Sequence, residues 1–293
     1  MIDEDFAVFI LTYGRPDNVK TYKTLKRFGY TGKIYFICSD DDKHLDKYKE
    51  LYNKQVIVFS KKEYKNTFDI GDNFDDERVV VYARNACFDL AKKVGIKYFL
   101  VLDDDYTDFS YRFNGELSYN NERKYVDGVL ECFWVKDLNK MFEIILNYYK
   151  SIPAKTIALS QNGDWIGGKD NSWAKELKLR RKCMNSFFCS TERPFKFTGR
   201  INEDVNAYTR LGAVGDLFLT IHNVSLKQTD TQANDGGLTD IYLSQGTYVK
   251  SFYSVMFSPS SVKVAPMGKH QRLHHRISWN NAIPVILNEK HKK

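Results

Sequence analysis

The chain has 293 residues, 43% of them hydrophobic and 28% charged, enough apolar side chain to bury a substantial core as one unit or two fused lobes. No run approaches the roughly 18 apolar residues of a membrane span, and Met1-Ile-Asp-Glu-Asp lacks the basic start of a signal peptide, so a cytoplasmic protein with no membrane partner is expected. The 5 cysteines are odd in number and form no Cys-x-x-Cys pair, which argues against a zinc ribbon or disulfide scaffold, while a net charge of +7 permits a polyanionic partner without requiring one.

Phe6 to Leu11 is an unbroken apolar run that reads as a buried strand, and Thr12-Tyr-Gly-Arg-Pro16 reads as a tight turn at its end. Asp17 to Phe28 reads as a helix, Ile34 to Cys38 as a second strand with the polar tip Ser39-Asp-Asp-Asp42, and His44 to Leu51 as a second helix. This alternation predicts an α/β fold with a mostly parallel central sheet flanked by helices. From Val81 to Val94, Ala83, Ala86, Cys87, Leu90, Ala91 and Val94 recur at helical spacing, with Gly95 as the stop. Arg84 lies in the first turn, where the helix dipole disfavours a cation. Either it reaches an anionic cluster or it is an ordinary solvated arginine.

Tyr98 to Leu102 is a strand of the kind covered on both faces, and it runs into Asp103, Asp104 and Asp105. Ligands of open α/β sheets gather beyond the carboxyl ends of the strands, so the triplet is expected to face a cleft. Three adjacent carboxylates repel one another unless donors or a cation compensate, and their hard oxygens suit Mg²⁺ or Mn²⁺ bridging to a phosphate. The competing reading is an acidic strand-to-turn junction.

The second half is less regular. Gln161-Asn-Gly-Asp-Trp-Ile-Gly-Gly168 lacks the Gly-Lys-Ser/Thr of a phosphate loop; Asp164 and Trp165 are either substrate contacts or parts of a hairpin turn. Glu203 and Asp204 begin a helix, as an acidic catalytic pair or as acids favoured by its dipole. His222 follows the apolar strand Leu217 to Ile221, and Gln228, Asp230 and Gln232 share one side if their segment is extended. Positive charge concentrates in Lys175, Lys178, Arg180, Arg181 and Lys182 and again from Lys263 to Arg276, with Trp165, Trp173, Phe187, Phe188 and Trp279 interleaved. That mixture suits a DNA groove with base stacking, and equally a solvated basic face beside core aromatics.

The Ala83-Arg84-Asn85 helix start and the strand ending in Asp103-Asp104-Asp105 resemble the nucleotide-binding half of a GT-A glycosyltransferase. The segments Leu159 to Gly168, Gln228 to Gln232, Gly236 to Tyr242 and Gly246 to Tyr253 look like the phage group of TET/JBP-associated DNA glycosyltransferases. The resemblance implies a GT-A-like, Rossmann-related sheet whose nucleotide-sugar half, residues 1–110, is fused to a C-terminal acceptor lobe, residues 111–293. It implies a UDP-sugar donor held by Thr12, Tyr13, Arg15, Asp40, Arg84, Asp103 and Asp104, with Lys269 and Arg272 neutralising phosphate from a late, flexible lid. Mn²⁺ or Mg²⁺ would sit on Asp103 and Asp105, with His275 or His270 completing the shell. Asp204 would be the base and Glu203 a nearby positioning group; Asp164, Trp165, Gln228 and Asp230 would touch substrate. The implied acceptor is 5-hydroxymethylpyrimidine, first 5-hydroxymethylcytosine, in hydroxymethylated duplex DNA of a bacteriophage. A glycosyltransferase for a polysaccharide, lipid or protein, and a noncatalytic DNA-binding or scaffold protein, are the alternatives.

Overall fold

The computed structural model describes residues 3–74, 77, 79–112, 125–126, 129–130, 133–161, 179–229, 246, 248–267 and 271–285. Strands β1 (Phe6–Leu11), β2 (Lys33–Ser39), β3 (Val56–Phe59) and β4 (Tyr98–Asp103) are mutually parallel, in the order β3-β2-β1-β4. Successive side chains of a strand point to opposite faces, and β1 shows why its sequence does not alternate. Phe6, Val8 and Ile10 enter one core while Ala7, Phe9 and Leu11 enter another on the opposite face. The first core is closed by α1 (Lys20–Arg27) and α2 (Leu45–Tyr52), the second by α4 (Val81–Lys93), whose side chains are buried along most of its length; the short α3 (Lys61–Tyr64) precedes it.

Beyond β4 the sheet continues as β10-β9-β11-β5-β8, giving nine strands among the described residues. These are β5 (Tyr106–Tyr111), β8 (Phe133–Trp134), β9 (Thr156–Gln161), β10 (Ser186–Ser190) and β11 (Phe218–Gln228), while β6 (Tyr125–Val126) and β7 (Val129–Leu130) pair separately. β9 and β11 are parallel, and the remaining pairings of this half are antiparallel. Because β10 runs against β4, with Ser186 opposite Leu102, its beginning lies at the edge where the parallel strands end. β11 brings its end, Gln228, opposite Tyr106 at that same edge. Helix α5 (Leu138–Ser151) is capped by the Asp137 carboxylate, which accepts from the Lys140 amide at 3.0 Å, and packs Leu138, Met141, Phe142, Ile145, Leu146 and Tyr149 into the first core.

Helices α6 (Glu203–Ala213), α7 (Val249–Phe257) and α8 (Trp279–Ala282) pack together with a hairpin of β12 (Val262–Met267) and β13 (Arg272–Ile277). This hairpin holds Arg272 and His275, which were expected in a late flexible lid with Lys269 and His270. It pairs from Val262 opposite Ile277 to Met267 opposite Arg272, and places His275 in the interior against α7. Among the described residues, no helix is long and apolar enough to cross a membrane.

The turn carrying the three aspartates is fixed from α1. The Thr21 hydroxyl donates to the Asp103 carbonyl at 2.6 Å and accepts from the Tyr106 amide at 3.0 Å; the Thr21 amide donates to the Asp104 carbonyl at 3.1 Å. Thr21 is wholly buried, so Thr21→Val keeps the shape and leaves two buried backbone groups unpaired. The expected loss is about 2 kcal/mol in urea denaturation with an unchanged denaturant slope.

Candidate functional site

The carboxyl ends of β1, β2, β3 and β4 surround a cavity of about 470 Å³, the size of a small-ligand site. Its wall includes Thr12, Tyr13, Gly14, Arg15, Ser39, Lys61, Asp103, Asp104, Asp105 and Gln228, with Ile37, Phe59, Val79 and Val80 as apolar surface. The turn after β1 depends on Gly14, whose φ of +75° is in the left-handed region, and its amide donates to the Asp42 carboxylate at 2.7 Å. Tyr48, from α2, lies with its hydroxyl 2.7 Å from the Thr12 hydroxyl and accepts from the Arg15 amide at 2.9 Å. Lys61 pairs with Asp41 at 2.9 Å and lies 4.8 Å from the centre of the Tyr13 ring, a cation over an aromatic face.

The three aspartates are held differently. Asp104 is buried, accepts from the Thr12 hydroxyl at 2.8 Å, and has the Arg15 guanidinium 3.5 Å away. Burial raises its carboxyl above the usual range, against the pull of Arg15 and Thr12. Asp103 lies 3.3 Å from Arg84. Asp105 accepts from the Gln228 amide group at 3.3 Å through one oxygen, while its Oδ1 is buried with no hydrogen-bond partner. Burial first, then repulsion from Asp103 and Asp104, pushes Asp105 up to about 7.

Arg84 connects this edge to α6. It is 3% exposed, and its other terminal nitrogen lies 2.5 Å from Glu203 Oε1 as a close ion pair without hydrogen-bond alignment. The guanidinium also packs over the rings of Phe187 and Phe197, at 5.1 and 5.7 Å. Burial opposes its charge, yet Glu203, Asp103 and Asp204 together hold its pKa above the ordinary value. Glu203 and Asp204 are both buried. Desolvation raises both carboxyls and Arg84 pulls the other way. Asp204 Oδ1 accepts from the Val205 amide at 2.7 Å at the helix start.

Thus Thr12, Tyr13, Arg15, Asp103, Asp104, Asp105 and Gln228 share one wall, and Arg84, Glu203 and Asp204 lie behind Asp103. Asp40 is exposed and absent from that wall; β2 ends one residue earlier, so Ser39 lines the cavity and the buried Asp42 supports the Gly14 turn. Arg272 is exposed on β13 and also absent from the wall. Lys269, His270, Asp164, Trp165 and Asp230 lie outside the described residues, as do Lys175 and Lys178. Tyr48, Asp42 and Lys61 were not expected from the sequence. Lys61 carried a usable signal, because it lies two residues beyond the apolar run Val56 to Phe59 and therefore at a strand's carboxyl end.

The oxygen donors of Asp103 and Asp105, with the unpartnered Oδ1, fit a hard divalent cation. Among the described residues no three His, Cys, Asp or Glu side chains gather as a cation cage, so remaining ligands would have to come from bound phosphate or water. His275 does not join the aspartates in such a group: the β12–β13 pairing carries it to α7, with Nδ1 3.4 Å from Asn202 Nδ2. Burial, then His274, Lys182 and Lys250, press its pKa down to about 3, leaving the imidazole neutral.

Two outcomes are expected. Arg84→Met should destabilise by about 3 kcal/mol or more because Glu203 and Asp103 lose a buried counter-charge, and adding Glu203→Gln should recover part of that loss in a double-mutant cycle of denaturation midpoints. For Asp105 the folded pKa is raised from about 3.9 unfolded to about 7. Its stabilising contribution is therefore complete below the unfolded value and is lost as pH rises through the folded one. In metal-free buffer the melting temperature should fall between about pH 4 and 7 more steeply in the parent than in Asp105→Asn.

The sequence profile of the TET-associated glycosyltransferases matches residues 6–237. No curated protein matches. Solved structures similar to this chain include Staphylococcus aureus TarS 1–349, at 10% identity and a TM-score of 0.42, covering 85% of this chain and 65% of that one. Glucosyl-3-phosphoglycerate synthase from Mycobacterium tuberculosis, solved with Mn²⁺, UDP and phosphoglyceric acid, has 7% identity and a TM-score of 0.44, covering 96% and 88%. A putative nucleotide-diphospho-sugar transferase from Desulfovibrio desulfuricans G20 has 11% identity and a TM-score of 0.38, covering 86% and 94%. The chain spans less than two thirds of the TarS 1–349 structure. With the family profile covering most of its length, the chain belongs to the TET-associated glycosyltransferases.

Proposed function

We propose that this glycosyltransferase moves a sugar from a UDP-sugar to the hydroxymethyl group of a 5-hydroxymethylpyrimidine in phage DNA, most directly 5-hydroxymethylcytosine. The observation that carries this reading is the shared edge at which the cavity carboxylates Asp103 and Asp105 stand together and Arg84 joins Asp103 to the buried Glu203 at the start of α6. Tyr13 offers a ring for the base, Thr12, Arg15 and Lys61 offer donors for ribose and phosphate, and the family supports the acceptor class. A divalent cation bound by Asp103 and Asp105 would neutralise the diphosphate leaving group.

The chain's own residues supply the proton chemistry. The acceptor O–H proton passes to the Asp204 carboxylate as the acceptor oxygen bonds to the anomeric carbon. The anomeric carbon–oxygen bond to UDP breaks and its electron pair leaves with the diphosphate. Burial raises the basicity of Asp204, which favours that role. Glu203 faces Arg84 at 2.5 Å and serves as a positioning residue, holding the start of α6 against Asp103.

Incubation with hydroxymethylated and unmodified duplexes, several UDP-sugars and Mn²⁺, followed by nucleoside mass spectrometry, tests the reading. Asp204→Asn should lower kcat by roughly 10²-fold or more with UDP-sugar affinity near that of the parent. Asp105→Ala should abolish transfer and the cation-dependent part of UDP binding. Transfer to a free glycan and to no DNA would replace the DNA acceptor with a carbohydrate one, and full activity in Asp105→Ala would remove the cation from the scheme.

A further inference from the structure

A second set of charged groups meets at the start of α6, two residues before Asp204, and outside the wall of the donor cavity. Lys182 lies in the approach to β10, Lys250 in the first turn of α7, and the buried His275 on β13. None of the three lines the donor cavity. Asn202, in the left-handed conformation at the start of α6, ties two of these elements, α7 and β13, to α6. Its side-chain nitrogen donates to the Lys250 carbonyl at 2.8 Å and the Ser254 hydroxyl at 3.0 Å, and faces His275 Nδ1 at 3.4 Å.

The two lysines of this cluster are not matched by carboxylate partners: among the described residues, Lys182 and Lys250 form no ion pair with a carboxylate. Lys250 also occupies a helix N-terminus, where the dipole disfavours a cation. Burial lowers its pKa, and repulsion from Lys182 and Arg272 lowers it further, with Asp204 opposing. His275 is 7% exposed, and its Nε2 is buried without a hydrogen-bond partner. Cations at a helix start around an unpartnered imidazole nitrogen make a site for an anion.

We propose that Lys182, Lys250 and His275 form a subsite for one phosphodiester of the acceptor, the phosphate flanking the reacting nucleotide, so that its hydroxymethyl group is delivered to Asp204. This rests on the DNA reading above. It is preferred over a second donor-phosphate site because the donor cavity has cations of its own in Arg15 and Lys61, and because Asn202 ties Lys250 and His275 to the start of α6, next to Asp204. A phosphate here would fix register without reading sequence, leaving the hydroxyl on the base to decide whether transfer occurs. The smallest effective acceptor would then carry a 5′- or 3′-phosphate.

The test compares the full chain with Lys182→Gln, Lys250→Gln and the double variant, each checked for an unchanged melting temperature. KM for hydroxymethylated duplex should rise at least about tenfold per lysine, and UDP affinity by calorimetry should stay unchanged. The slope of log affinity against log salt for unmodified duplex, read by anisotropy, should fall by about one per lysine. The 5′- or 3′-monophosphate of 5-hydroxymethyldeoxycytidine should be the better acceptor than the free nucleoside in the parent and lose that advantage in the double variant. Unchanged duplex KM and salt slope would overturn the subsite, and so would a fall in UDP affinity without a change in duplex KM. If the parent binds duplex yet transfers to no hydroxymethylated DNA, the acceptor reading fails, while the salt series on unmodified duplex still decides whether these lysines hold phosphate.

Discussion

The arrangement depends on one buried cation. Asp103, Asp104, Asp105, Glu203 and Asp204 would be an untenable concentration of carboxylate if β4 and α6 met without a counter-charge between them. Arg84 stands there, 3.3 Å from Asp103 and 2.5 Å from Glu203, shielded by Phe187 and Phe197. Its place in the first turn of α4 is unfavourable to the helix dipole, and the acids on both sides outweigh that term. The pair sets the distance between the aspartate turn and the helix carrying Asp204. A solvated pair could not do so with comparable rigidity, because water would screen it and leave both side chains mobile.

Strand direction brings the remaining groups to the same place. The parallel strands deliver Thr12, Ser39, Lys61 and Asp103 because each approaches the edge by its carboxyl end. The antiparallel β10 delivers the residues before it, and β11 delivers Gln228 at its end. Asn185 and Gln228 then meet at 3.3 Å, Gln228 reaches Asp105 at 3.3 Å, and the Tyr106 hydroxyl donates to the Asn185 carbonyl at 2.7 Å. The second half of the sheet thus supports the acidic turn as well as extending the core. Gln228 holds Asp105 through one oxygen, Asn185 holds Gln228, and the other Asp105 oxygen has no hydrogen-bond partner.

Much of the parallel half was legible because its signals are local. Apolar runs ending in polar tips give the strands, the spacing in Val81 to Val94 gives α4, and Asp103 to Asp105 mark the cleft edge. The two readings of Arg84 could not be separated by sequence, since the choice depends on Glu203, 119 positions away and brought near only by packing. Asp40 was misplaced by a register question: three consecutive aspartates at a strand tip look alike until backbone direction decides that position 42, and not 40, turns inward. The strands of the late basic stretch were not legible because its charges obscure their pattern. In the fold, Val262 and His275 are interior while Lys263, Arg272 and Arg276 remain outside. Lys182 and Lys250 belong to no motif, and only tertiary packing sets them beside Asp204.

A second buried arginine explains how the turn into α6 keeps its shape. Arg200 donates to both oxygens of Asp72, at 2.7 and 2.8 Å, and to the Phe74 carbonyl at 2.7 Å, while the Tyr253 hydroxyl donates to the same carboxylate. The Gly199 and Arg200 amides donate to the carbonyls of Asp69 and Ile70, both at 2.8 Å. Gly199 has φ of +89°, and a Cβ there would meet the Asn206 side chain, so both the conformation and the close approach require glycine. Asn202 adds a non-glycine left-handed residue that persists because its side chain is committed to α7. Arg200 therefore fixes the turn from the side of residues 69–74, and Arg84 fixes its continuation from the side of Asp103. Asp204 lies directly after these restraints, so its carboxylate is placed by two buried ion pairs rather than by its own single hydrogen bond to the backbone.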